Sequence, residues 1–146
     1  MNEDTKAQIQ AFKKAMQEKS QKVHTKLGIQ VGKAVNLVRN TAIEGMTSTQ
    51  TDPMKAYKRQ KGRKIHYASA DGEYPAVDSG ALRQSVTTSV EYTDTGVQGE
   101  VGTNLLYGRF LETGTSKMRA RPWLGPSVAK NQEAIRQLLN DAMRDE

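Results

Sequence analysis

The feature that most constrains this fold is a helical pattern of apolar residues running from residue 5 to residue 45. Apolar side chains recur there mainly at steps of three and four, with good helix formers between them. A continuous helix of about 40 residues would measure about 60 Å, longer than such a domain needs. We therefore expect part of it to project or to pack against a neighbouring subunit. The stripe consists of Ile9, Phe12, Met16, Val23, Leu27, Val31, Val35, Val38 and Ala42.

Two glycines one turn apart, Gly28 and Gly32, interrupt this pattern. Each costs about 1 kcal/mol of helix propensity relative to alanine. They indicate either a close helix–helix crossing or a kink that divides two helices. We favour the kink, because the strict period is briefly lost around Ile29.

Composition limits the protein to one modest domain. Of 146 residues only 36% are hydrophobic and 26% are charged, so much of the chain is solvated or needs a partner to cover it. The absence of cysteine excludes disulfides and thiolate metal sites. The start of the chain is unlike a signal peptide and no apolar run approaches transmembrane length, which predicts a soluble protein of a reducing compartment. The net charge of +6 permits a polyanionic partner but equally favours solubility.

Residues 46–74 are predicted to form a polar, basic loop. Pro53 marks a break, Ile65 to Ala68 could add a short strand, and Asp71 with Gly72 predicts a turn. The stretch from Lys55 to Lys64 is basic and contains no acid, so it could contact DNA phosphates. A solvated, mobile loop explains this composition equally well. The candidate DNA-facing residues are Lys55, Lys58, Arg59, Lys61, Arg63 and Lys64.

Residues 75–103 predict a capped helical turn followed by a β-hairpin. Asp78 or Ser79 can cap the turn, with Gly80 relaxing its start. Alternation from Val86 to Tyr92 and again from Val97 to Thr103 is typical of half-buried strands, joined by a turn at residues 94–96. The glycines at 99 and 102 indicate a bulge or a close neighbour.

A short amphipathic helix beginning near Leu106 should end at Gly114, and a last helix should occupy residues 126–146. Pro126 suits the first turn of that helix, with Ser127 as an alternative cap. Between the helices, Arg119 and Arg121 precede the only tryptophan, in a core corner or a contact surface.

No constellation of residues points to an enzyme. His66, Asp78 and Ser79 supply the residue types of a hydrolase triad, but the serine lacks the nucleophile-elbow context and the histidine flanks the basic loop. Capping explains Asp78 and Ser79 without catalysis. Gly108, Gly114 and Lys117 have the wrong spacing for a phosphate loop. The two histidines have no second ligand at metal spacing. We expect no catalytic residue, no metal and no cofactor.

Two blocks resemble a known family. YPAVDSGALRQSV resembles the motif P-x-D-S/T-G-x-L-R-x-S, with one extra residue between proline and aspartate. VGTNLLYGRFLETGTSKMRARPWLGPSV resembles V-G-S/T…Y-A/G…E-x-G-T…R-P-F/W-L-x-P-A/S. The family is the tail-completion, or head–tail joining, proteins of long-tailed bacteriophages, often called minor tail proteins. The matching residues are Asp78, Ser79, Gly80, Leu82, Arg83, Gly102, Thr103, Tyr107, Glu112, Gly114, Thr115, Arg121, Pro122, Trp123, Leu124 and Pro126.

The resemblance implies a structural virion protein in the neck, assembled in the host cytoplasm. It implies a homo-oligomeric ring, with a hexamer as the expected form, beside the stopper, the tail terminator and the tail tube. The basic loop could face packaged DNA in the lumen of that ring. A tail terminator or stopper of the adjacent ring is the alternative, followed by a basic nucleic-acid-binding accessory protein and, more distantly, a small hydrolase.

We therefore predict a single α+β domain: an N-terminal helix or helix pair (1–45), the basic loop (46–74), and a body (75–146) with a small antiparallel sheet, a short helix and a C-terminal helix packed on the sheet. Leu106, Phe110 and Leu111 should anchor the short helix together with Trp123. An exposed turn should carry Glu112, Thr115, Arg119 and Arg121. Glu112 could pair with Arg121 there, either within a subunit or across a ring contact. Replacing Arg121 by glutamate should then impair joining more than folding.

Overall fold

The computed structural model describes residues 3–52, 54, 56–58 and 65–144, with the backbone alone at 56–58, 65 and 66. The fold is α+β, as predicted. Its elements in chain order are α1 (Glu3–Ser48), β1 (Ala56–Lys58), β2 (Ile65–Tyr67), α2 (Ala81–Ser85), β3 (Thr87–Thr93), β4 (Gly96–Gly102), α3 (Leu106–Thr113) and α4 (Gly125–Met143).

Helix α1 is one uninterrupted helix of 46 residues. The predicted kink at its glycines is therefore wrong. The close-approach interpretation is correct, except that the neighbour is a strand rather than a helix. A Cβ at Gly28 would run into the ring of Tyr92, and one at Gly32 would lie 4.0 Å from Val90 Cγ2.

The other elements of the body pack against the second half of α1. The hairpin β3–β4 packs on α1 with a continuous antiparallel register from Thr87↔Gly102 to Thr93↔Gly96. The ladder has no bulge at Gly99; instead a Cβ there would lie only 2.6 Å from the Cγ1 atoms of Val31 and Val35. Glycine at this position lets β4 lie directly on the helix.

Helix α4 packs along α1, beside the hairpin, rather than on the sheet as predicted. Asn131 Nδ2 of α4 donates to Thr41 Oγ1 of α1 at 2.8 Å. The hydrophobic core consists of Ala42, Met46, Leu82, Val86 and Trp123. The core thus gathers the end of α1, helix α2 and the segment that precedes α4.

The first part of α1 leaves the body. Every described side chain from residue 3 to residue 22 is exposed, and we call this segment the arm. At 1.5 Å per residue the arm extends about 30 Å. Its apolar residues Ile9, Phe12 and Met16 are 41%, 67% and 55% exposed. The expectation that part of the long helix projects is confirmed.

The basic segment is shorter than predicted, because α1 continues to Ser48. Strand β2 matches the predicted strand at Ile65, and it pairs antiparallel with β1. The predicted turn is present, with Gly72 at φ 81°. Of the candidate DNA-facing residues, Lys58 belongs to β1, and its side chain is outside the description. Lys55, Arg59, Lys61, Arg63 and Lys64 all lie outside the described residues.

The close contact at Gly99 generates a stability prediction. Gly99→Ala should lower the free energy of unfolding by about 1–3 kcal/mol, because the added methyl overpacks the Val31–Val35 surface. Gly102→Ala on the same strand is the matched control, since a Cβ there meets nothing within 4 Å. Urea unfolding followed by circular dichroism measures both. Equal stability of the two variants would show that β4 does not depend on this contact.

Candidate functional site

The structure brings the two motif blocks together around one cavity of about 690 Å³, which we call the motif cavity. One wall is residues 75–83, the opposite wall comes from α3 and the loop after it, and Met46 of α1 closes the floor. The remaining lining residues are Ala68, Ser69, Tyr107, Phe110, Leu111, Thr115, Met118 and Arg121. Sequence reasoning identified both blocks, but no signal in the sequence showed that they face each other.

The first wall is shaped by Gly80 rather than by a side-chain cap. Gly80 is the N-cap of α2, at φ 80°, a left-handed conformation that glycine adopts readily. Asp78 and Ser79 are exposed, and Ser79 Oγ accepts a hydrogen bond from the Ala81 N–H at 3.3 Å. The prediction that Asp78 or Ser79 is the cap is therefore wrong, whereas the role given to Gly80 is confirmed. Arg83 Nη1 donates to Thr47 Oγ1 at 3.3 Å and ties α2 to α1.

Trp123 supports the second wall from the core side and does not itself line the cavity. Its ring is 2% exposed, and Nε1 donates to the carbonyl oxygen of Gly108 at 2.9 Å. A Cβ on Gly108 would lie 2.6 Å from Thr103 Cγ2 and 3.0 Å from Leu82 Cδ1, so α3 needs glycine there to approach the core. The prediction that Trp123 anchors α3 is confirmed.

The other predicted anchors of α3 differ in their placement. Leu111 is half-buried and packs against the core. Leu106 and Phe110 are 67% and 41% exposed, so the prediction that they anchor α3 is wrong. Helix α3 ends as predicted at Gly114, whose N–H donates to the Phe110 carbonyl at 2.8 Å.

Glu112 caps a helix other than its own. Its Oε2 accepts the N–H groups of Trp123 at 2.7 Å and Leu124 at 2.8 Å, and Oε1 accepts the N–H of Gly125 at 2.8 Å. A carboxylate is favourable at the start of α4, where backbone N–H groups lack partners and the helix dipole is positive. Ser127, the predicted alternative cap, is buried and donates instead to the Trp123 carbonyl at 2.6 Å.

Arg121 is buried rather than exposed, and it does not pair with Glu112. Its side chain is 10% exposed; Nε donates to the Ser69 carbonyl at 3.0 Å and Nη2 to Asp71 Oδ1 at 3.2 Å. Its backbone N–H donates to the Leu111 carbonyl at 2.7 Å. Arg121 therefore holds the 69–71 segment against α3, and the predicted exposed Glu112–Arg121 pair is wrong.

The motif cavity is mainly apolar and open at an aromatic rim. Most of its surface is apolar, and its rim carries the exposed Val77, Tyr107 and Phe110. Within the described residues, the fully buried Ser69 Oγ has no hydrogen-bond partner. Thr115 lies in an exposed turn, where its Oγ1 accepts the Lys117 N–H at 3.2 Å. Among the described residues, no group of three His, Asp or Glu side chains could hold a metal ion.

A protein-family model described as "Bacteriophage HK97-gp10, putative tail-component" matches residues 6–114. The chain belongs to this HK97-gp10-like family. It is therefore a tail component of a bacteriophage, associated with the virion and structural in kind. No match was found among curated proteins or among solved structures. Within the described ranges, no helix is long and apolar enough to cross a membrane.

The HK97-gp10-like match confirms the resemblance to a phage tail family but has different limits. It begins in the arm and includes α1 and the hairpin, and it ends at Gly114. The resemblance seen in the sequence began at residue 75 and extended to 129. The helical arm carries no short motif, yet the family model covers most of it.

The capping role of Glu112 generates a prediction for this HK97-gp10-like chain. Glu112→Ala should lower the free energy of unfolding by about 2–3 kcal/mol, because it removes a charged acceptor from three N–H groups. Glu133→Ala is the control, since Glu133 is exposed on α4 and should change stability by less than about 0.5 kcal/mol. Thermal unfolding measures both, and comparable small losses would contradict the capping role.

The burial of Arg121 reverses the expectation that its replacement impairs joining more than folding. Arg121→Met should cost about 2–3 kcal/mol of folding stability, below the usual loss for a fully buried pair because Asp71 is partly exposed. Arg119→Met, at an exposed position two residues earlier, should be nearly neutral. Denaturant titration measures the stability of both variants. An Arg121→Met protein as stable as the original would support the expectation that Arg121 acts in joining rather than in folding.

Proposed function

We propose that this tail component completes the tail and joins it to the head, as a ring of identical subunits in the phage neck. The observation that carries the proposal is the arm, a long exposed helix with an apolar face that its own body cannot cover. In a structural virion protein, such a surface indicates contact between subunits. The resemblance of the two motif blocks to head–tail joining proteins supports the same conclusion.

The motif cavity is the proposed contact with a neighbouring neck protein. Both motif blocks line it, and Phe110 and Tyr107 are 41% and 40% exposed at its rim. Aromatic side chains beside an apolar pocket are common where a partner inserts a side chain of its own. The unpartnered Ser69 Oγ offers an inserted group a hydrogen bond.

The remaining partners follow from the position in the neck. The stopper, the tail terminator and the tail tube are the proposed neighbours, and a six-fold ring would match a six-fold tail tube. Assembly would take place in the host cytoplasm. Contact of the basic segment with packaged DNA stays a prediction from its six lysine and arginine residues.

Particles made without this protein test the proposal. We expect electron micrographs to show filled heads beside unattached tails of normal length, with joining restored when the protein is supplied in trans. Tails of irregular length would indicate a terminator instead, and heads that lose DNA would indicate a stopper. Normal virions would end the proposal.

The role of the motif cavity is tested in the same assay. Phe110→Glu should leave the melting temperature nearly unchanged, because Phe110 is 41% exposed at the rim, and should reduce joined particles at least about tenfold. Arg109→Glu, exposed on the same helix and absent from the cavity lining, is the control and should complement normally. Full complementation by Phe110→Glu would show that joining does not depend on the cavity.

A further inference from the structure

Helix α1 forms the floor of an open groove between the hairpin and α4. The groove has a volume of about 630 Å³ and is mainly apolar, and we call it the apolar groove. Its outer residues Val128 and Met143 are 44% and 65% exposed. It is lined by α1 from Leu27 to Val38, by residues 97, 99 and 101 of β4, and by α4 from Val128 to Met143.

The arm has the shape and chemistry of an occupant for such a groove. Its apolar side chains at positions 9, 12 and 16 lie on one face, the i, i+3, i+7 spacing by which amphipathic helices bind grooves. The arm is about 30 Å long, and the 19-residue α4 that borders the groove is about equally long. The side chains of the arm are exposed, and most helical stability in proteins comes from tertiary packing, so docking would stabilise it.

Charge complementarity also favours this occupant. No lysine, arginine or histidine occurs between Arg83 and Arg109, whereas Glu91, Asp94 and Glu100 occur there and are exposed. Glu100 belongs to β4, whose residues 97, 99 and 101 line the apolar groove, so its side chain lies on the other face of that strand. The arm has the opposite balance, with five lysines and three acids from residue 3 to residue 22. An arm beside β4 would therefore bring lysines toward an acidic hairpin.

The occupant cannot be the arm of the same molecule. The arm and the groove floor are successive parts of one unbroken helix, so the arm points away from its own groove. Only an arm from another molecule can lie there. Because arm and groove are different surfaces, the contact is heterologous, and such contacts close into rings when the rotation between subunits permits.

We propose that the arm of each copy lies in the apolar groove of the next copy, with Ile9, Phe12 and Met16 facing its floor. This inference rests on the proposed function, because it states how the ring is held together. The same contact covers the two surfaces that an isolated chain leaves to water. Each subunit would then contribute one arm and receive one arm.

Mixing two variants of the purified full chain tests the contact. The arm variant, Phe12→Gln with Met16→Gln, keeps an intact groove; the groove variant, Val128→Lys with Met143→Lys, keeps an intact arm. All four positions are at least 44% exposed, so both variants should fold. Sedimentation velocity should show an oligomer for the original chain and a monomer for each variant alone, with contact affinity reduced at least about 30-fold. The mixture should form a one-to-one dimer, because one intact arm and one intact groove remain.

A control variant places the same new residues on the other face of the arm. Ala7→Gln with Ala11→Gln should leave the oligomer unchanged, since both positions are exposed and lie away from the apolar stripe. Circular dichroism should show equal folded content for all variants.

Several outcomes would overturn the inference. They are an original chain that stays monomeric at its highest soluble concentration, an arm variant that keeps the original oligomer, or folded variants that remain monomeric when mixed. If one of these occurs while particles lacking the protein still fail to join, the arm contact is wrong and the proposed function stands. Normal virions without the protein would refute the proposed function whatever the mixing experiment shows.

Discussion

The rest of the body depends on one packed surface, the buried stripe of α1 from Val31 to Met46. The hairpin and α4 both pack on this stripe, side by side, and share a groove between them instead of a close interface. With only 36% of its residues hydrophobic, the chain has little apolar material for a second core. The close contact of Gly99 with Val31 and Val35 shows how directly β4 lies on the helix. The body is therefore a set of elements arranged along a rod, and apolar surface is left over beside it.

Several motif residues turn out to be internal joints that build the cavity. Glu112 connects α3 to the start of α4, Trp123 connects the start of α4 to α3 through Gly108, and Arg121 connects the same region to residues 69–71. These joints hold the cavity walls, while side chains available to a partner, such as Tyr107 and Phe110, stand at the rim. Replacing a joint should therefore act through folding, and replacing a rim residue should act through binding.

The sequence predicts those parts of the fold that depend on local periodicity. The helical pattern of α1, the two strands of the hairpin and the end of α3 at Gly114 all follow from spacing and turn chemistry. Side-chain partners 50 residues apart, such as Arg121 with Asp71, follow from no local pattern. Nor can the helical period around Gly28 distinguish a break in the helix from a strand packed closely on it. The two motif blocks were recognisable as sequence, but only tertiary structure shows that they enclose a cavity.

The continuity of α1 through Gly28 and Gly32 matters for assembly as well as for the fold. A kink there would let the arm adopt many directions, and each contact with a neighbour would have to overcome that freedom. A single helix instead fixes the arm relative to the groove floor, since both belong to the same rod. The angle between successive subunits would then be set by the rod and the groove together. Tyr92, packed over Gly28 where the arm leaves the body, supports the helix at the point where bending would be easiest.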